Sequence, residues 1–219
     1  SGGWCDYMVE LEFFKSMPEG IRKDAWFLTK VTMTGQERNP ETGRYPLLNW
    51  DDPATNQKHP YWKKNIESSD WVFNYDDGYY ETKGISSASG KTRMIFRYAD
   101  ILLLYAEAVA YGTKSIDDLA FDCMWRVQER AGVPLISKDV TKEYFQKAVL
   151  DERRWETAGM EHSCMGRFFT MQRHEILHLQ KNYRDAAELS LNPNLTLSEE
   201  FYYFPIPDNE LLIVPGLKD

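Results

Sequence analysis

Apolar residues run almost without a break from Met94 to Tyr111 in the stretch RMIFRYADILLLYAEAVAYG (93–112). The charges inside that run are Arg97, Asp100 and Glu107, at offsets of three and seven, so they share one face of a helix. A spanning helix needs about 20 mostly apolar residues with few or no charges, which this stretch does not supply. A helix that is apolar on most of its circumference is buried by protein around it, and Gly112 offers its stop. A second helical pattern follows at once. Ile116, Leu119, Ala120, Cys123, Met124, Val127 and Ala131 recur at helical spacing, after a Ser115/Asp118 pair that fits an N-capping pattern and before Gly132 and Pro134. So short a link makes the two helices antiparallel neighbours, an αα-hairpin. A third helix is predicted from Thr141 to Ala158, with Phe145, Ala148, Val149 and Trp155 facing inward and Gly159 as its stop. A fourth is predicted from Cys164 to Lys181. Beyond Pro193 the chain turns irregular, and Pro205 and Pro207 hold FYYFPIP (201–207) extended.

Residues 1–92 have a different texture. They are rich in Pro, Asn, Asp, Gly and aromatics with weak periodicity, and read as loops, short strands and one short helix near 6–15. In WVFNY (71–75) alternation places Trp71, Phe73 and Tyr75 on one strand face, a core pattern. The fold class is therefore mainly α: a TPR-like hairpin, further helices, and loop-rich segments with short strands. Residues 1–92 form the aromatic-rich segment and 93–219 the helical region, together one continuous domain. A single hairpin cannot bury its own apolar back, since stacked helical units normally need at least three members. Partner helices are thus expected outside these residues, in the missing N-terminal part of a longer protein of which this is a C-terminal piece.

Composition narrows the functional classes. A net charge of −8 argues against a nucleic-acid partner, because phosphate binding needs a basic face. Hydrophobic residues at 42% and charged residues at 27% are ordinary for a globular protein. Aromatics at 14%, with seven Trp, are abundant enough to ask which rings are core and which are ligand platforms. Cys5, Cys123 and Cys164 form no C-x-x-C pair and no disulfide scaffold; free buried thiols are the expected state. Ser1-Gly2-Gly3 reads as a trimmed loop, so the sequence does not report a cellular address.

Four blocks in order, RYADILLLYAEA (97–108), RVQERAGVP (126–134), LDERRWETAG (150–159) and YYFPIPDNEL (202–211), resemble the SusD/RagB family. FFKSMPEGIRKDAWF (13–27) is similar to that family's Phe-rich segment. The resemblance implies a surface-exposed outer-membrane lipoprotein of Bacteroidota, lipid-anchored through an N-terminal Cys that lies upstream of Ser1. It implies TPR-like helical pairs supporting a loop-rich binding region. It further implies non-catalytic, cofactor-free capture of glycans, or in some members peptides, for a SusC-like TonB-dependent transporter. One departure is MEHSCMGRFFTMQR (160–173), where the family usually has an acidic position between two basic ones. Arg167 and Arg173 keep the basic pair, and local drift in a structural helix accounts for the change.

Several residue patterns could carry chemistry. HEILH places His174 and His178 four apart, on one face of the predicted fourth helix, where they could hold zinc while Glu175 polarises a water. The third ligand would have to come from farther along, Glu199 being the candidate, and the zinc peptidase is kept only as the alternative to nutrient capture. The aromatic field of the first half is the other candidate. Pyranose C–H faces stack on flat rings while neighbouring Asp, Asn and Arg bond the hydroxyls. Trp50 and Trp62, beside turn residues, and Trp71, Tyr79 and Tyr80 are the expected ligand-binding set. The pairs Asp51-Asp52 and Asp76-Asp77 are adjacent on one loop each and lack the cross-cleft separation that glycoside hydrolysis needs; they read as solvated turns. Arg97 and Asp100, with Arg153, Arg154 and Glu156, are expected to form an ion-pair network tying helices together.

Overall fold

The computed structural model describes residues 9–32, 37–55, 59–63, 71–74, 79–82, 95–159, 168–179, 184–191, 202, 205–214 and 216. Its centre is a three-helix layer: α3 (Tyr98–Tyr111), α4 (Asp118–Ala131) and α5 (Lys142–Thr157). Two short helices precede it, α1 (Leu11–Ser16) and α2 (Ile21–Trp26), followed by three two-stranded antiparallel ribbons. These pair β1 (Phe27–Leu28) with β4 (Tyr61–Trp62), β2 (Lys30–Thr32) with β3 (Leu47–Asn49), and β5 (Trp71–Asn74) with β6 (Tyr79–Thr82). Short helices Ala186–Leu191 and Asp208–Ile213 lie near the end.

The main core explains the hairpin. Ala99, Leu103, Ala106 and Ala110 repeat at intervals of four, three and four, so they form one stripe along α3. Three of those four are alanines, which lets neighbouring backbones approach closely. From α4 come Ala120, Phe121, Cys123, Met124 and Val127; from α5, Phe145 and Val149. Phe121 and Phe145 meet edge to face at 4.8 Å. Cys123 is a free thiol inside this core, and burial raises its pKa; Cys5 and Cys164 lie outside the described residues.

The structure corrects several boundaries. Asp117, not Ser115, caps α4, its carboxylate accepting the Ala120 N–H at 2.8 Å. The helix ends as the spacing predicts, at Gly132, whose φ of 69° is the left-handed conformation that closes the last turn. Thr141 caps α5 by accepting the Tyr144 N–H at 3.2 Å. The short helix predicted near 6–15 is α1, at Leu11–Ser16, and α2 is additional. The predicted helix 164–181 is helical over 168–173, and a 3₁₀ turn follows at 177–179. After Pro207 the tail becomes helical again, because a proline is tolerated at a helix start. The largest difference concerns α3. It is buried along one stripe, not on most sides: Ile101 is 54% and Leu104 47% exposed on the opposite face. Within this chain α4 and α5 lie on one side of α3 only.

Four helices are tied by charge. The Glu156 carboxylate, 2% exposed, accepts from Arg97 Nη1 at 2.7 Å, from Arg22 Nη1 at 3.2 Å and from Arg130 Nη2. Glu152, one turn back and equally buried, accepts from Arg22. Burial holds the Glu152 carboxyl above its ordinary range, against the opposing pull of Arg22. Arg97 also bonds the Glu156 carbonyl at 2.8 Å and Asp100 Oδ1 at 3.2 Å, while its own N–H reaches Asp100 Oδ2 at 2.8 Å. The carboxylate at the third position of α3 thus holds the helix start. Of the predicted network, Arg97, Asp100 and Glu156 belong to this set. Arg153 turns instead to Glu107, and Arg154 to Ser16 and the ring of Phe13.

Removing one partner of a buried ion set leaves an uncompensated charge, which costs about 3–5 kcal/mol, whereas replacing a buried pair by apolar groups of similar volume is often near neutral. Arg22→Ala is therefore expected to lose most of that amount in urea unfolding. The double change Arg22→Met with Glu152→Leu recovers a large part of it. Arg130→Ala, whose side chain is 59% exposed, costs under about 1 kcal/mol.

Candidate functional site

A second core sits where the N-terminal segment meets the end of α5. Val9, Phe13, Met17, Trp26 and Phe27 are buried in it, with Phe14, Trp62, Trp155 and Ala158 packed against them. The sequence singles out Trp62 and turns Trp155 inward, while Phe13, Phe14, Trp26 and Phe27 enter it only as part of a similar segment, although their pairing is a visible signal. The rings interlock: Phe14 and Phe27 at 5.1 Å and 84°, Phe27 and Trp62 at 5.2 Å, Phe13 and Trp62 at 6.4 Å.

Trp62 is bound into this packing. It pairs with Phe27 across the β1·β4 ribbon, and its ring lies against the backbone of Gly159. A Cβ on Gly159 would stand 2.6 Å from the ring carbon Cε3, and Gly159 has a φ of 65°, so glycine is required twice over. Trp50 stands differently. It is half-buried at the rim, edge to face with Phe14 at 5.9 Å and 83°. A turn fixes its backbone: the Trp50 N–H donates to the Thr29 carbonyl at 2.8 Å, and Thr55 Oγ1 donates to the Trp50 carbonyl at 2.9 Å. Asp52 closes that turn by accepting the Ala54 N–H at 2.8 Å, which is the turn role expected for it. On the other side of Phe14 the Lys23 ammonium lies 4.6 Å from the ring centroid, and it donates to the Met17 carbonyl at 3.1 Å. The result is an aromatic shelf, Trp50–Phe14–Phe27–Trp62, backed by α5. Trp50 is at its open edge.

Trp71, Tyr79 and Tyr80 lie in the β5·β6 ribbon, paired Trp71 with Thr82, Phe73 with Tyr80, and Asn74 with Tyr79. Residues directly opposite share a face, so positions 71 and 80 fall on one face of the ribbon and position 79 on the other. Tyr75 and the Asp76-Asp77 pair lie outside the described residues.

HEILH does not have the geometry its spacing implies. The helical residues end at 173, and Glu175 takes a φ of 54°, so the chain reverses between the two imidazoles. His174 Nε2 lies 2.8 Å from Glu107 Oε1, with the His174 ring stacked on Tyr111 at 3.9 Å. Arg153 and Arg173 share the same Glu107 carboxylate. His178 Nδ1 instead faces the Tyr202 hydroxyl at 3.2 Å. Among the described residues no group of three His, Cys, Asp or Glu could hold a metal ion; Glu199 lies outside them.

The comparisons bear on the chain as a whole. The family model described as SusD family matches residues 2–219. The chain is 28% identical over 130 residues to "SusD-like protein P25" of Formosa agariphila, covering 58% of this chain and 23% of that protein. It superposes on the crystal structure of a SusD superfamily protein from Parabacteroides distasonis with a TM-score of 0.61 and 17% identity, covering 95% of this chain and 40% of that one. A SusD superfamily protein from Bacteroides vulgatus gives 0.55 and 20%, covering 98% and 44%. The chain spans less than half the length of each of these relatives.

The two tryptophans should separate in stability. Trp62→Ala removes a packed ring and is expected to cost about 3–5 kcal/mol. Trp50→Ala, at the rim, costs about 1 kcal/mol or less. Gly159→Ala should destabilise as well, since the added methyl meets the Trp62 ring in a strained backbone conformation. Thermal or denaturant unfolding of the three variants reads all of this directly.

Proposed function

The chain belongs to the SusD family, and we propose that the protein it forms part of captures glycans or other nutrient oligomers at the cell surface and passes them to a SusC-like TonB-dependent transporter. Capture is by contact alone, without a catalytic step. The observation that carries this reading is the extent of the family match, which takes in both the aromatic-rich half and the helical half. On this reading the protein is held at the outer membrane by a lipid on an N-terminal Cys outside these residues. No helix among the described residues is long and apolar enough to cross a membrane.

Trp50 is the ligand-stacking residue best supported by geometry. Its backbone is fixed by the turn at 50–55, its ring is buttressed by Phe14, and it stands beside the carboxylates of Asp51 and Asp52. A half-buried ring at the rim, of fixed orientation and with hydrogen-bonding neighbours, is what a pyranose face needs. Trp71, Tyr79 and Tyr80 are proposed as further contacts on the ribbon, and Trp62 as the support behind the shelf.

Affinity gel electrophoresis of the full-length protein against a panel of polysaccharides tests the assignment. At least one glycan should retard the parent protein. Trp50→Ala should weaken that binding about tenfold, equivalent to about 1.4 kcal/mol of lost stacking, with its melting temperature little changed. Retardation that survives Trp50→Ala undiminished removes Trp50 from the site. Failure of every glycan in the panel, with oligopeptides retained in an equivalent assay, moves the ligand class to peptides.

A further inference from the structure

Among the described residues Lys23 is the buried lysine, only 6% exposed. Lysines are almost never buried unless their charge is paired, and this ammonium is paired on every side. It donates to the Met17 carbonyl at 3.1 Å and to the Glu19 carboxylate, and it lies 4.6 Å from the centroid of the Phe14 ring. Two of these three contacts bear on α1, since Phe14 is a member of that helix and Met17 is the residue that closes it. The third, Glu19, is 85% exposed and balances charge at the surface. The stem of Lys23 starts from a fixed backbone. Its neighbour Arg22 is bound into Glu152 and Glu156, and the Asp24 carbonyl accepts from Lys63, next to β4, at 3.2 Å.

The surroundings do not call for a cation. Val9, Phe13, Met17, Trp26 and Phe27 form an apolar core beside it, and a methionine or leucine at position 23 would avoid the cost of burying a charge. Apolar contact, however, is non-directional. Phe14 is half-buried, so packing alone does not select one orientation for its ring, and Phe14 is the ring that Trp50 meets edge to face. We infer that Lys23 is a positioning residue for capture: its ammonium, held between the end of α1 and the Phe14 ring, fixes that ring and through it the orientation of Trp50. The inference rests on Trp50 as the stacking residue and adds the group that aims it.

Fluorine NMR of the full-length protein carrying fluorotryptophan tests the positioning without any ligand. Trp50→Phe identifies the Trp50 resonance. Trp125→Phe identifies that of Trp125, which packs against the other core with its Nε1–H on the Ile136 carbonyl at 2.7 Å. Lys23→Met keeps an unbranched stem and removes the charge. It should shift or broaden the Trp50 resonance and leave Trp125 in place. Lys23→Gln, which keeps an N–H donor, should do the same, and Glu19→Gln should do neither. A Trp50 resonance unchanged in both Lys23 variants overturns the inference. Against the polysaccharide that retards the parent protein, Lys23→Met should weaken binding about threefold. In a Phe14→Leu background it should have no further effect, because the loss acts through that ring. A loss that adds in full to that of Phe14→Leu marks Lys23 as merely structural and overturns the inference. So does parent affinity in Lys23→Met where Trp50→Ala binds weakly. Parent affinity in Trp50→Ala is the distinct failure: it removes the reading on which the inference rests, and the inference with it.

Discussion

Glu156 accepts charge-assisted hydrogen bonds from Arg22 on α2, Arg97 at the start of α3 and Arg130 on α4, while lying on α5 itself. One carboxylate thus joins four helices. Apolar contact is non-directional and tolerates sliding; an ion set with this geometry does not. The set is also balanced. Asp100, Glu152 and Glu156 face Arg22, Arg97 and Arg130, three charges of each sign, with Arg130 reaching the buried Glu156 from the surface. The arrangement contributes a fixed register more than net stability. It also determines where α5 ends, because Arg97 bonds the Glu156 carbonyl in the last turn.

That ending positions the shelf. Trp155, Ala158 and Gly159 follow directly from the anchored turn, and Gly159 gives Trp62 a flat backbone surface to lie against. Trp62 supports Phe27, Phe27 supports Phe14, and Phe14 meets Trp50 at the rim. The chain of contact runs from a buried carboxylate to a half-buried indole. This is why substitutions deep in the helical region are expected to reach the rim through geometry, with no ligand contact of their own.

Much of the helical region was legible in the sequence because its signals are local. Periodicity marked α3, α4 and α5, and Gly132 marked a stop that the backbone confirms. Local signals fail where tertiary contact decides. Asp117 rather than Ser115 caps α4, and its carboxylate also receives the Tyr105 hydroxyl. HEILH has helical spacing, yet Glu107 draws His174 away and the chain reverses at Glu175. The apolar circumference of α3 predicts protein on most sides, whereas among the described residues α4 and α5 cover one stripe and Ile101 and Leu104 stand exposed. The ion set was half legible. Its acidic and basic members on α3 and α5 stood out, but Arg22 and Arg130, distant in sequence, did not.

The same limit governs the aromatic residues. Turn residues flank both Trp50 and Trp62, so the sequence treats them alike, yet among the described residues Trp62 packs on two rings and a glycine while Trp50 meets Phe14 by an edge contact. A ring packed between other rings and a backbone serves as support; the ring at the rim is the one proposed to bind. Under the proposed function, capture followed by release requires modest affinity, and an indole at the rim would supply contact without enclosure, whereas a deep pocket would slow release.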